Sequence, residues 1–175
     1  MKFKFLTFLS LVLLALSCRS PSADVLTIEG TITGAENMTI NVEKFNASSK
    51  FTLLKDTLIA ADGSFAIPLE NSKPGDLIQL RIGTRNRVYV TNTGEALVKI
   101  NAELSKMRFY EYIIGESSPN NIALTSLLNK LATRTVNPSS VDDYLDSTTD
   151  AVGAAFICLN TKQTGDAASI AAFDK

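Results

Sequence analysis

The chain carries few side chains of the types that perform covalent or metal chemistry. It has no His and two Cys, at positions 18 and 158. Because His is the commonest general base and a common zinc ligand, Ser-His-Asp and Cys-His catalysis and His-ligated zinc sites are excluded within this chain. No Cys-x-x-Cys spacing occurs, which also excludes a dithiol centre of its own. We therefore expect no catalytic residue, no cofactor and no metal site in these residues.

Cys18 follows an N-terminal segment that has the features of a secretory signal. Two lysines, at positions 2 and 4, precede an apolar run over residues 5–17, and a basic head with a short apolar middle is typical of a signal peptide. The run is too short to span ~30 Å of hydrocarbon, which takes about 20 residues. Ala15-Leu16-Ser17-Cys18 resembles the bacterial lipobox, in which the lipoprotein signal peptidase cuts before a diacylated cysteine. The resemblance implies that Cys18 is a lipidation site.

The N-terminal organisation is then a signal peptide over residues 1–17 and a polar tether over residues 18–24. Several lipid chains hold a protein firmly at a membrane, since each buried CH₂ adds ~0.8 kcal/mol. No acidic cluster follows Cys18 directly, so we expect a lipoprotein of the bacterial cell envelope that faces the periplasm. Signal removal takes two of the 17 basic side chains and none of the 18 acidic ones. Such a nearly neutral chain gives no reason to expect a nucleic-acid partner.

Residues 25–116 have the pattern of a β-sandwich domain. Apolar segments with alternating polar positions are separated by Gly, Pro and Asn turns, which predicts about eight antiparallel strands in two packed sheets. Gly30 is a candidate β-bulge in the first strand, and residues 109–114 form a last, aromatic-rich strand. The expected inward-facing positions of the first two strands are Leu26, Ile28, Ile32, Met38, Ile40 and Val42.

Asp62-Gly63 is the clearest turn signal in this region. It stands between two apolar stretches, and Asp-Gly in this position favours a two-residue hairpin turn. In that hairpin Leu58 faces Ile67, and both share a core face with Phe65. Pro68 lacks an amide donor, so we expect its strand to lie at a sheet edge or to end there.

Residues 117–175 change to a helical pattern and are interpreted as a helical connector. A Ser-Pro start precedes apolar residues at helical spacing, and Asn137-Pro138-Ser139 interrupts the pattern. A small-residue helix follows over residues 151–159. The last apolar repeat, Ile170 and Phe173, runs up to Lys175 without a terminating signal. We interpret the chain as the front part of a longer protein, cut before a further domain.

Two motifs carry a resemblance to a known family. They are the opening Ile28-Glu29-Gly30-Thr31-Ile32 with Gly34, and Asp56-Thr57 followed by Ala61-Asp62-Gly63-Ser64-Phe65. Together with the lipobox they resemble the N-terminal domain of unknown function in thioredoxin-like envelope lipoproteins. In that family a helical segment and a domain of the alkyl hydroperoxide reductase and thiol-specific antioxidant class follow, and that later domain carries the Cys-x-x-Cys.

The resemblance implies a non-catalytic role for this chain. It would be the scaffold or interaction domain of a periplasmic, lipid-anchored thiol-disulfide oxidoreductase that acts in cell redox homeostasis. Its partners would be the membrane, through the lipid, and a protein client or a second copy of itself. No catalytic residue of the family has a matching position here. The alternative is a free-standing lipoprotein whose β-sandwich binds a peptide or glycan.

Three further groups of side chains have both a chemical and a structural interpretation. Cys158 lies in the apolar run 154–159, where a small packed residue is favoured over a reactive thiol. Four basic side chains are candidates for an anion site and four aromatic ones for a ligand platform. Solvated strand edges and cross-strand packing are the favoured interpretations. These candidates are Arg81, Arg85, Arg87 and Lys99, and Tyr89, Phe109, Tyr110 and Tyr112.

Overall fold

The computed structural model describes residues 25–46 and 50–163. The strands are β1 (Leu26–Thr33), β2 (Thr39–Phe45), β3 (Phe51–Leu58), β4 (Ser64–Leu69), β5 (Leu77–Ile82), β6 (Asn86–Thr91), β7 (Leu97–Glu103) and β8 (Tyr112–Ile114). The helices are α1 (Leu104–Met107), α2 (Pro119–Ala132), α3 (Pro138–Ser147) and α4 (Ala151–Gln163). The predicted signal peptide, Cys18 and the apolar repeat of Ile170 and Phe173 lie outside the described residues.

The strands form two four-stranded sheets packed face to face. The first sheet has the order β4-β1-β7-β8 and the second has the order β3-β2-β5-β6. The predicted mostly β fold, a sandwich of about eight strands followed by helices, is confirmed. One pair departs from the antiparallel expectation, since β1 and β7 pair in parallel. Parallel neighbours need a long crossover. Here the chain between them passes to the second sheet twice, as β2–β3 and as β5–β6, with β4 of the first sheet in between.

The space between the two sheets is filled by aliphatic side chains. Both sheets contribute, and alternate residues of their strands point inward as the period of two requires. Of the positions predicted to face inward in the first two strands, Met38 is the exception: it precedes β2 and is 38% exposed. The fully buried members with 0% exposure include Ile28, Ile32, Ile40, Val42, Ile67, Ile78, Leu80, Val98 and Ile100.

The three long helices cover the outer face of the second sheet and form a second core there. Leu77 and Tyr89 of the sheet are 1% and 4% exposed because side chains of α2, α3 and α4 pack on them. Strand β5 is therefore buried on both faces, and its sequence Leu-Ile-Gln-Leu-Arg-Ile lacks the strict alternation of a one-sided strand. The segment interpreted as a connector contributes directly to the core of the domain.

The structure corrects the predicted Asp62-Gly63 hairpin. A turn is present, with Gly63 at φ 81° and Asp62 Oδ1 accepting from the Ser64 amide at 2.9 Å. The strands on either side of it, however, lie in different sheets: β3 pairs with β2, and β4 pairs with β1. Leu58 is consequently 64% exposed, whereas Ile67 is buried. The turn passes the chain between sheets and does not close a hairpin.

Two further strand predictions need correction and one is confirmed. Gly30 is not a bulge, because β1 pairs through it without a shift of register on both sides. The aromatic strand is reduced to β8, since Tyr110 has φ 56°, which an extended strand does not allow. Pro68 does lie in an edge strand, β4.

The helix boundaries follow the predicted signals. Pro119 opens α2 after Ser118, and the Asn137-Pro138 pair opens α3. Asn137 Oδ1 caps α3 by accepting from the Ser140 amide at 2.8 Å, which satisfies one of the free donors at a helix start. These residues fix where α2 and α3 begin.

Candidate functional site

A groove lies between strand β8 of the first sheet and helix α2. Its volume is about 600 Å³, and it opens to solvent along one side. Strand β7, α1 and the segment after α1 also contribute lining residues beside β8, and α2 contributes the opposite wall. The residues around it are Asn101, Ala102, Glu103, Lys106, Tyr110, Glu111, Tyr112, Ile113, Ile114, Ile122, Thr125, Ser126 and Asn129.

The groove exists because β8 is short and lies at the edge of its sheet. It pairs with β7 on one side only, over three residues. The C-terminal end of α2 is fixed to the segment before β8, since Asn129 Nδ2 donates to the Phe109 carbonyl at 2.8 Å. The ring of Tyr112 lines the groove, and its hydroxyl accepts from the Tyr89 amide at 3.3 Å. The first bond joins α2 to the segment before β8, and the second joins β8 to β6 of the other sheet.

The walls of the groove expose apolar side chains. Ile113 is 68% exposed and Ile122 is 39% exposed, although both belong to regular elements of the domain. Ser126 adds an exposed hydroxyl group to the helix wall, whereas the Thr125 hydroxyl is buried. An edge strand beside an apolar groove can accept a further strand, whose main chain bonds to the edge while alternate side chains enter the groove. The arrangement is thus suited to an extended peptide.

A small cluster of charged side chains lines one part of the groove. Lys106 Nζ lies 3.4 Å from a Glu103 carboxylate oxygen and 3.6 Å from one of Glu111. The hydrogen bond with Glu103 raises the pKa of Lys106 above its usual value. All three side chains are about half exposed, so this cluster contributes polarity more than stability.

The aromatic candidates divide between packing and the groove. Tyr89 is buried and lies in a ring cluster that bridges β2, β3, β6 and α4, which confirms the packing interpretation for it. Its ring centroid lies 4.7 Å from that of Phe156 and 5.8 Å from that of Tyr110. Tyr110 and Tyr112 line the groove, whereas Phe109 is 38% exposed and lines the cleft of Arg85, Arg87 and Arg108. The four do not form one flat platform.

Burial of Tyr89 predicts a loss of stability in alkali. Removal from water raises its pKa from 10.0 to about 12, so the folded protein keeps this proton at pH values where the unfolded chain has lost it. Stability is full below pH 10.0 and falls as the pH rises toward 12. We expect Tyr89→Phe to reduce this loss by about 1.4 kcal/mol midway between the two pKa values. Urea unfolding at neutral pH and midway between the two pKa values measures it; equal losses in both proteins would contradict the assignment.

The basic candidates do not converge as a set of four. Lys99 lies on the first sheet, where its Nζ is 3.7 Å from Glu29. Arg81, on the second sheet, donates from Nε to Glu43 Oε1 at 2.9 Å, and Gln79 also bonds Glu43. Glu43 is 7% exposed, so its charge is compensated in place, as a buried carboxylate requires. Arg85 and Arg87 line a separate cleft with Arg108, which the sequence pattern did not group with them.

The structure describes one of the two cysteines, Cys158. Cys158 lies half-buried on α4 as an unbridged thiol, and Cys18 lies outside the described residues. In residues 25–46 and 50–163, no group of three or more Cys, Asp or Glu side chains is placed to hold a metal ion. None of the helices in the described part is long and apolar enough to cross a membrane.

Comparison with known proteins adds no relative. No protein-family model, curated protein or solved structure matches this chain. The resemblance carried by the motifs therefore stays a prediction, and a function for this chain has to be argued from the geometry of the groove and the clefts.

Proposed function

We propose that this chain is a lipid-anchored scaffold and interaction domain of the bacterial cell envelope. In this proposal it belongs to a thiol-disulfide oxidoreductase, holds the redox domain away from the membrane, and presents client protein to it. The observation that carries the interaction role is the open groove of about 600 Å³ between β8 and α2. A peptide strand of an unfolded client has the extended form and apolar side chains that such a groove binds.

The arrangement of the helices supports the scaffold part of the proposal. They share a buried core with the second sheet, so the sandwich and the helices form one packed body. Asn121 fixes α2 to the edge of that sheet through two hydrogen bonds with Thr91. A packed body of this kind keeps a fixed distance and orientation between its N-terminal end and the end of α4. A flexible linker does not do this.

The anchor is tested by replacing Cys18. We expect Cys18→Ala to move the protein from the membrane fraction to the soluble extract, because the lipobox cysteine is the acylation site in this proposal. Cys158→Ala is the matched control, since it removes the other thiol and should leave the protein at the membrane. Fractionation of cells followed by immunoblotting measures the distribution. Membrane association that survives Cys18→Ala would refute the lipid anchor.

A second candidate function is a free-standing lipoprotein that binds peptides for its own purpose. The exposed Ile113 on the free edge of β8 favours this function as well, because binding there needs no redox domain. Residues beyond Lys175 distinguish the two functions, whereas the groove is common to both.

The groove itself is tested by a charge placed at its mouth. We expect Ile113→Lys to abolish binding to an array of extended apolar peptides, since the added ammonium would have to lose its hydration in the groove. Leu58→Lys is the control: Leu58 is 64% exposed but lies on β3, in the other sheet. It should leave binding unchanged. Equal binding by both variants would exclude the groove as the peptide site.

A further inference from the structure

We propose that Arg85, Arg87 and Arg108 form a binding site for the phosphate group of a soluble ligand. The three side chains line one open cleft of about 490 Å³, together with Thr84 and Phe109. This cleft is separate from the groove beside β8, with which it shares no lining residue. The cleft does not depend on the proposed scaffold function, whereas the choice of a soluble ligand rests on the lipid anchor of that proposal.

The cleft lies at the end of the sandwich where β5 turns into β6. Thr84 and Arg85 belong to that turn, and Arg87 follows in β6. Arg108 comes from the end of α1, which follows β7 and packs beside β6. Two segments distant in sequence therefore bring their guanidinium groups to one place. Arg85 and Arg108 also line an adjoining cavity, with Asn86 and Ser105.

The charges of these three side chains are uncompensated. Within the described residues none of them forms an ion pair with a carboxylate, whereas Arg81 on the neighbouring strand is paired with Glu43. Glu103, the one carboxylate in the adjoining cavity, is paired with Lys106. Like charges gathered without a counter-charge repel each other, and a bound anion would relieve that repulsion.

Arg87 is the least exposed of the three arginines. Its Nη2 donates to the Thr84 carbonyl at 3.4 Å, and its side chain also lies beside the Tyr89 hydroxyl. Its Nε is closed to solvent, so a ligand in the cleft would bond the other guanidinium nitrogens. The contacts with Thr84 and Tyr89 hold this guanidinium at the wall of the cleft.

The geometry of the donors points to phosphate. Each guanidinium presents up to five N–H donors in a planar fork that matches phosphate oxygens. Three such groups can neutralise the two negative charges of a phosphate ester, whereas a ligand with one carboxylate carries a single negative charge. Arg108 is also positioned by its own neighbour, because its guanidinium carbon lies 4.5 Å above the centre of the Phe109 ring. The partly exposed Phe109 ring offers an apolar surface to the rest of the ligand.

The position of the site favours a soluble ligand over a lipid headgroup. The adjoining cavity is lined by Thr33 and Gly34, so the site lies at the far end of β1 from Leu26. The eight residues of β1 span about 26 Å. If the chain is anchored at Cys18, the membrane is at the Leu26 end. The arginines then face away from it.

Calorimetric titration of the full chain in non-ionic detergent tests the proposal. The first arm uses inorganic pyrophosphate, and the second uses phosphatidylglycerol supplied in mixed micelles. We expect pyrophosphate to bind, and Arg85→Gln/Arg108→Gln to weaken that binding about tenfold or more. Arg85→Lys/Arg108→Lys keeps both charges but loses the planar forks, so its affinity should fall between the two.

Lys73→Gln/Lys130→Gln is the matched control, because it removes two charges from exposed positions outside the cleft. It should leave the affinity within about a factor of two. An equal loss in this control would show attraction by net charge and overturn the site. Absence of pyrophosphate binding by the wild-type chain would overturn it too. Binding of phosphatidylglycerol alone, lost in Arg85→Gln/Arg108→Gln, would refute the soluble ligand and assign the arginines to a lipid headgroup.

Discussion

Gly30→Ala is expected to unfold the domain or to lower its free energy of unfolding by more than about 4 kcal/mol. Gly30 lies in the middle of β1, between β4 and β7. A Cβ at this position would stand 1.7 Å from the Ile100 carbonyl oxygen and 2.7 Å from the carbonyl carbon. Both atoms belong to the backbone of the parallel neighbour, so no side chain can rotate away. The two central strands of the first sheet would have to separate.

Glu29→Ala is the control for that substitution. It changes the adjacent residue of β1, whose side chain is 39% exposed and makes only a loose ion pair with Lys99. Such a pair contributes about 1 kcal/mol at most. Urea denaturation of the three proteins, followed by circular dichroism, gives the comparison. A Gly30→Ala protein as stable as Glu29→Ala would show that β1 and β7 are not packed as described.

Asn121→Leu is expected to cost about 2–4 kcal/mol of stability, which is the second largest effect. Asn121 is 0% exposed. Its Oδ1 accepts from the Thr91 amide at 2.7 Å, and its Nδ2 donates to the Thr91 carbonyl at 3.0 Å. The side-chain amide thus replaces a neighbouring strand at the edge of β6. Leucine has a similar size but leaves both backbone groups buried and unpaired.

The neighbouring amide provides the comparison for Asn121. Asn120 bonds the Thr149 hydroxyl at the surface, at 3.2 Å, so Asn120→Leu should cost less than about 1 kcal/mol. Thermal unfolding of both variants separates the two roles. Similar melting temperatures would mean that the Thr91 groups find water or another partner when the amide is absent.

Local signals in the sequence were enough to predict most elements of this fold, although not the short helix α1. Proline placed β4 at an edge and opened α2 and α3, since its missing amide and fixed φ allow few other positions. Alternating apolar residues identified the buried faces of β1 and β2. Each of these signals acts within a few residues, where the conformation is decided by the residue itself and its neighbours.

Those local signals did not predict which distant segments pair with each other. Asp62-Gly63 specifies a turn, and whether its flanking strands pair depends on which sheet offers each of them an edge. Gly30 was predicted to be a bulge. Glycine is needed there because the Ile100 backbone approaches closely, and Ile100 lies about seventy residues away in sequence, where no local signal reaches. The extra register position lies instead between Val42 and Glu43 in the β2–β3 pair.

The candidate sites depend on the same long-range placement. Arg85 and Arg87 were two of the four basic candidates in the sequence, but Arg108 joins them only because α1 packs beside β6. The groove needs α2 opposite β8, and Asn129 joins α2 to the segment before β8. Lys99 was grouped with the arginines by strand composition alone, and the structure places it on the other sheet.

The coding sequence beyond Lys175 tests the central claim most directly. If this chain is the scaffold of an anchored oxidoreductase, the reading frame continues and encodes a Cys-x-x-Cys pair within about 150 residues, the length of one domain. A stop codon immediately after Lys175, or an extension without paired cysteines, would contradict that claim and leave the peptide-binding lipoprotein as the function to pursue.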